Sequence, residues 1–298
     1  MKKKYAVICV GGQSNAVGYD ESVITKNYRE QFHTERLWQL GFYGEDNLKI
    51  IPLLECAQNF QDMRPYGNPD NEREGLGTKG IHLPLGEQLL ELVSMDTDIL
   101  VLPCAYGGTG FLEGEEGIYD PKTKKPSPGI LRWGVNSPYY LSLKDRLKYV
   151  LDLKEDSRFL AMVWIQGESD HACSVRHMEL FQEMAEDFLA YFQKHYPKRA
   201  YGKWDRNLWY NVETAAYWYD IGDCEKIWNG YKKFHPSTYV AIPRSTDTNK
   251  ENGTGMTAKV REAHFGNNAF WHVIAPLVAE KIKDVRGHIR DKEEAAKS

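Results

Sequence analysis

The sequence predicts an α/β fold: a three-layer α/β/α sandwich around a central, mostly parallel, five-stranded sheet. Three observations carry this. Mostly apolar runs at 5–10, 98–104, 158–165, 207–212 and 238–243 have the length and composition of buried strands. Segments with helical periodicity separate the first four runs and follow the fifth, and such alternation argues for a parallel sheet covered on both faces. The first three runs end in small turn residues followed by polar side chains, the arrangement by which open α/β sheets place ligands at the carboxyl edge.

The first run, Tyr5-Ala6-Val7-Ile8-Cys9-Val10, passes into Gly11-Gly12-Gln13-Ser14-Asn15-Ala16. Met1-Lys2-Lys3-Lys4 mimics the charged start of a leader, but six apolar residues are too few for its core, so the run reads as a strand and the expected location is cytoplasmic. Leu85, Leu89, Leu92 and Val93 mark a short helix. The second run ends in Pro103-Cys104-Ala105-Tyr106-Gly107-Gly108-Thr109-Gly110. The stretch 111–136, with Pro121, Pro126 and Pro128, is a long loop that either borders the site or is a surface excursion. Ser137-Pro138 is a helix start signal for the stripe Tyr140, Leu143, Leu147, Val150 and Leu151. The third run leads into Trp164-Ile165-Gln166-Gly167-Glu168-Ser169-Asp170. From 178 to 192, Phe181, Met184, Ala185, Phe188, Leu189 and Phe192 repeat at helical spacing, and that stripe is core packing. Glu262-Ala263-His264-Phe265-Gly266-Asn267 precedes the last helix, marked by Phe270, Val273, Ile274, Leu277 and Val278. A charged tail follows.

Composition agrees with an enzyme. A chain of 298 residues, 42% hydrophobic, can bury one large core, and we read 1–298 as one domain because the expected site draws on both ends. A net charge of −4 gives no basic footprint for nucleic acid, and no apolar run approaches the roughly 20 residues of a membrane span. The expected partner is a small molecule; the sequence does not set an oligomeric state. The five scattered cysteines form no CxxC pair, so neither a disulfide framework nor a metal site is expected.

A serine lifted to a sheet edge is either a helix N-cap or a nucleophile awaiting a base. The glycine turn at 107–110, the polar turn at 166–170 and the late histidine are what a sheet-edge serine hydrolase gathers from distant sequence. These four blocks resemble the SGNH hydrolases, and within them the sialate O-acetylesterases. Gly12-Gln13-Ser14-Asn15-Ala16 resembles the nucleophile block, Gly107-Gly108-Thr109 the glycine block, Trp164 to Asp170 the carbohydrate-esterase third block, and His264-Phe265 the last. Gln61-Asp62-Met63, Arg132-Trp133-Gly134 and Thr214 to Tyr219 are similar to bacterial sialate O-acetylesterases. The likeness runs in order from about Tyr5 to Val285.

The resemblance implies a flavodoxin-like fold and a serine esterase without cofactor or metal. It makes Ser14 the nucleophile and His264 the base. The oxyanion would take hydrogen bonds from the backbone N–H groups of Ser14 and Gly108 and the side-chain amide of Gln166. Many relatives place an acid three residues before the histidine, but here that position is Arg261, which cannot accept an imidazole N–H. A backbone carbonyl completing a Ser–His dyad is the favoured reading, Glu262 the second, and Asp247 or Glu168 further sources. Glu168 and Asp170 either brace neighbouring turns through hydrogen bonds, the favoured reading for Glu168, or are solvated. Gln13, Asn15, Asp62, Arg64, Arg132 and Trp133 are candidate substrate contacts, the arginines for a sugar carboxylate, with Tyr217 and Trp218 as an aromatic wall. The expected reaction is hydrolysis of the 9-O-acetyl ester of N-acetylneuraminic acid. Another carbohydrate acetylesterase, such as an acetylxylan type, and a non-catalytic carbohydrate-binding descendant are the alternatives.

Overall fold

The computed structural model describes residues 4–19, 35–42, 44–54, 56–58, 78–112, 119–120, 125–126, 132–234, 238–248 and 261–287. Its main sheet contains β1 (Lys4–Gly12), β2 (Leu37–Leu40), β3 (Ile50–Pro52), β4 (Thr97–Pro103), β5 (Arg158–Ile165), β6 (Trp209–Val212) and β7 (Tyr239–Val240). The order across the sheet is β7-β6-β5-β1-β4-β2-β3, parallel throughout except for β3 against β2. The sheet therefore has seven strands rather than the expected five. The five expected strands are its contiguous parallel block, and β2 and β3 extend one edge. Those two are only four and three residues long, and β3 ends in a proline, a residue confined to sheet edges.

Two strand ends differ from expectation for local reasons. Asp205 accepts a hydrogen bond from Asn207 N–H (3.0 Å), so a 3₁₀ turn occupies 206–208 before β6 begins. Past Val240, the Ile242 N–H turns from the ladder to the Glu213 carboxylate (2.8 Å), which ends β7. Tyr219 and Tyr239 also donate their hydroxyls to Glu213, tying the loop after β6 to β7.

The helices are α1 (Ser14–Val17), α2 (His82–Leu89), α3 (Pro138–Leu153), α4 (Ser174–His195), α5 (Cys224–Phe234) and α6 (Ala275–Arg286). Helix α2 packs on α6; α4 packs on α5, and on α3 through Tyr140 and Lys144, which both bond Asp187. These two groups flank the sheet. Ser137 caps α3 by accepting from Tyr140 N–H, as its position before Pro138 predicts. The whole expected stripe of α4 is buried. Helix α5 was not expected; Ile227, Trp228, Tyr231 and Phe234 form its buried face. Before α6 the backbone passes through a π turn, Phe270–Ile274, one turn upstream of Pro276, whose missing N–H and ring disfavour the normal helical bond there.

Residues 5–10 of β1 are all buried, as expected for a central strand covered on both faces. Cys9, Cys104, Cys173 and Cys224 are free thiols. Among the described residues no helix is long and apolar enough to cross a membrane.

Candidate active site

The end of β1 positions Ser14. Gly12 has φ +125°, and a Cβ there would lie 2.0 Å from the Ile165 carbonyl oxygen, so only glycine lets β1 close onto the end of β5. Gln13 N–H then bonds Ile165 O (3.0 Å) and the chain turns into α1. Gln13 occupies the N-cap and makes no side-chain cap bond, so Ser14 is the first helical residue and not a cap. It is 5% exposed.

The glycine turn after β4 is tied to the same point, because Tyr106 N–H bonds Gly12 O (3.1 Å). Gly108 has φ +67°. Neither its N–H nor that of Ser14 donates to an acceptor among the described residues. Unspent backbone donors on two turns joined at Gly12 are groups an oxyanion could use.

Gln166 does not complete that set. Its side chain is fully buried, and Nε2 donates to Thr109 O (3.1 Å) with Asp170 Oδ2 at 3.5 Å. Turning the amide over would set its oxygen against a carbonyl and a carboxylate, which fixes the orientation. Gln166 thus braces the glycine loop from behind. Asp170 braces it too, accepting from Phe111 N–H (2.8 Å) and Leu112 N–H (3.1 Å), while His177 Nδ1 lies 2.6 Å from its Oδ2. Burial opposes its charge, but His177 and the two amides prevail and lower its carboxyl below the ordinary carboxylate range.

Asn15 ties the His264 segment to the start of α1. The Asn15 Oδ1 accepts from Phe265 N–H (3.0 Å), and its Nδ2 lies 3.1 Å from Ala263 O. One side chain therefore grips the backbone on both sides of His264 while adjoining Ser14. The same Nδ2 faces Glu168 Oε1 (2.9 Å) and Thr214 Oγ (2.8 Å), and Thr214 donates to Glu168 (2.7 Å). Glu168 is fully buried, and burial raises its carboxyl despite the bonds from Asn15 and Thr214. Trp218 Nε1 donates to Ala263 O (2.9 Å), and the Tyr19 ring lies against the His264 ring.

His264 is 8% exposed, and burial pushes its imidazole down to about 4. Its Nδ1 is buried with no acceptor among the described residues. None of the expected orienting groups reaches it. Glu168 points its bonded oxygen at Asn15 and Thr214, and Asp247 and Glu262 are exposed. No carbonyl bonds Nδ1 either, so the favoured dyad lacks its carbonyl support among these residues.

The expected substrate contacts separate. Gln13 is 2% exposed and its Oε1 accepts from Ser169 N–H (3.0 Å), which locks it to the third block. Asn15 is a clamp rather than a sugar contact. Trp133 is buried, donates Nε1 to Thr109 Oγ (3.1 Å) and packs edge-on against Trp164, so it belongs to the core. Trp218 is spent on Ala263, whereas Tyr217 beside it is exposed. Arg132 is half-buried. Asp62 and Arg64 lie outside the described residues. Sequence reasoning missed the roles of Asn15, Thr214 and Tyr19; only the first two had a signal, their places in the recognised blocks. For Asp170, of its two expected readings, the structure shows the brace.

The parallel block with its serine after β1 and its histidine before α6 has the architecture of an SGNH hydrolase. No family model matches the sequence. Over 250 residues the chain is 31% identical to the "probable 9-O-acetyl-N-acetylneuraminic acid deacetylase" of Escherichia coli K12, covering 80% of this chain and 72% of that one. The crystal structure of NanS superposes with a TM-score of 0.74 at 25% identity, covering 95% of this chain and 97% of that one. A protein of Arabidopsis thaliana shares the fold, with a TM-score of 0.58 at 15% identity over 95% and 100% of the two chains. The chain belongs to the sialate O-acetylesterase family of the SGNH hydrolases, and it is an esterase.

Proposed function

We propose that the protein removes the acetyl group from O9 of N-acetylneuraminic acid through an acetyl-enzyme on Ser14. The observation that carries the mechanism is the Asn15 amide, which binds both backbone neighbours of His264 from the position next to Ser14. His264 is neutral near pH 7 because burial disfavours its cation, so it is ready to accept a proton. Ser14 Oγ attacks the acetyl carbonyl as its proton passes to His264. The Ser14 and Gly108 N–H groups receive the developing oxyanion. Collapse expels the sugar hydroxyl, which takes the proton from His264. Water, activated by the same histidine, then releases acetate. The sugar assignment rests on the Escherichia coli relative. In the same reading the chain works as one domain, and Gln13, Gln166, Glu168 and Asp170 shape the site from behind.

The unpartnered Nδ1 and the arginine at 261 favour a second reading, a carbohydrate-binding descendant without catalysis. Acetate release from 9-O-acetyl-N-acetylneuraminic acid, acetylated xylan and a chromogenic acetate separates the readings. Preference for the first, lost by about four orders of magnitude or more in Ser14→Ala, is the expected result. Activity on the chromogenic ester alone refutes the sugar assignment, and silence on all three by folded protein refutes catalysis.

A further inference from the structure

The proposed reaction leaves one step without visible support. When His264 takes the Ser14 proton it becomes an imidazolium, and in a triad a carboxylate on Nδ1 both aims the ring and stabilises that charge. Here Nδ1 has no acceptor among the described residues. The titratable groups on the surrounding elements do not replace it. Glu168, next to α1, is turned to Asn15 and Thr214; Asp247, before the His264 segment, is exposed, and so is Glu262 on that segment itself. Burial is what pushes the His264 imidazole down, and among the described residues no charged group is seen to offset it.

What does touch the ring is Tyr19. Its ring centroid is 4.8 Å from that of His264, with the planes 41° apart. Tyr19 is 6% exposed and follows Gly18, whose φ of +90° turns the chain out of α1. A Cβ on Gly18 would lie 2.3 Å from Lys79 O, so this turn is held against the segment before α2 and the aromatic ring is fixed in place. A cation within about 6 Å of an aromatic face is attracted by the negative π surface.

We propose that Tyr19 is the positioning residue that serves where no acid meets Nδ1 among the described residues: its ring sets the plane of the His264 imidazole, and its π face supports the imidazolium formed during acyl transfer. The proposal rests on the reading of Ser14 and His264 as nucleophile and base. Removing the aromatic face lowers the His264 protonation equilibrium by about threefold to thirtyfold, or about 0.5 to 1.5 pH units. A residue that merely covers the histidine gives the opposite sign, because uncovering the ring returns it upward towards its ordinary value.

The test is NMR titration of the His264 imidazole in folded full-length protein without substrate, with the resonance assigned by His264→Gln. Tyr19→Phe keeps the ring; Tyr19→Leu and Tyr19→Met keep the site apolar without it. The expected order is Tyr19→Phe close to wild type, with the Leu and Met variants lower. In steady-state assays the latter two lose several-fold in kcat at unchanged KM. An unchanged or raised value in whichever aliphatic variant folds overturns the proposal, as does a Tyr19→Phe value that falls with the aliphatic ones. Because the titration needs no turnover, a wild-type protein that releases no acetate refutes the esterase reading separately, while the expected titration order still upholds the ring contact.

Discussion

Replacing Asn15 by alanine tests the central feature of the site. The substitution takes the acceptor from Phe265 N–H, leaving a buried donor unpaired at a cost of about 1–3 kcal/mol. Glu168 Oε1 keeps Thr214 but loses the amide, worth a further 1.5–3 kcal/mol or so for a bond to a charged group. Ala263 O keeps Trp218 and adds little. The expected loss of stability is about 3–5 kcal/mol, read as a shift in the urea midpoint. Activity falls further than stability explains, because Asn15 holds the backbone on both sides of His264. A displacement of about 1 Å in a catalytic group costs on the order of 100-fold. The assay is acetate release at a temperature where the variant is folded by circular dichroism, with the expected loss in kcat and little change in KM. A folded Asn15→Ala within about threefold of wild-type kcat would refute the clamp. Asn15→Asp sharpens the point: it sets a second carboxylate 2.9 Å from Glu168, so it is expected to be less stable than the alanine variant despite its closer shape.

Two other outcomes follow from the same geometry. His82 and His264 are both buried, both ring nitrogens of His82 lack partners among the described residues, and each imidazole is pushed from 6.5 down to about 4. Above pH 6.5 neither the folded nor the unfolded chain binds these protons. As pH falls from 6.5 to 4 only the unfolded chain does, so stability drops by about 3 kcal/mol per histidine; His82→Leu is expected to remove about half of that slope in urea titrations at pH 7, 5 and 4. The acid limb of kcat/KM is expected near pH 4 rather than 6.5, checked on a substrate stable across that range. Glu262→Gln, at an exposed position, is expected to hold kcat within about threefold, and a loss of several orders of magnitude would show that this carboxylate orients His264 after all.

The parallel core of the fold was legible because its strands are buried on both faces and so read as continuous apolar runs, β1 above all. Strands β2 and β3 carried no such signal: Leu-Trp-Gln-Leu and Ile-Ile-Pro are too short for a period to emerge, and they are specified by the open edge of β4 rather than by their own pattern. In the candidate site, the sheet-edge turns that carry Ser14 and Gly108 were legible from their glycines. The duties of Gln166, Asn15 and Trp133 were not, because an amide or indole reads alike in sequence whether it faces substrate or a carbonyl. Gln166 meets Thr109, Asn15 meets Ala263 and Phe265, and Trp133 meets Thr109, all through folding contacts made across the chain.

The bond between Asn15 and Phe265 spans 250 positions, and in the proposed mechanism this separation governs when activity appears. Every described strand of the sheet precedes residue 241, so a chain emerging from the ribosome can complete these strands before the segment that bears the histidine is released. Closing so long a loop is slow and late, since its entropy must be overcome before any contact rewards it. Secondary structure therefore forms ahead of turnover. In a refolding experiment the recovery of acetate release is expected to mark the last event, docking of the His264 segment, while far-ultraviolet dichroism marks the first. A site drawn from segments so far apart would report, through its activity, on whether folding has finished.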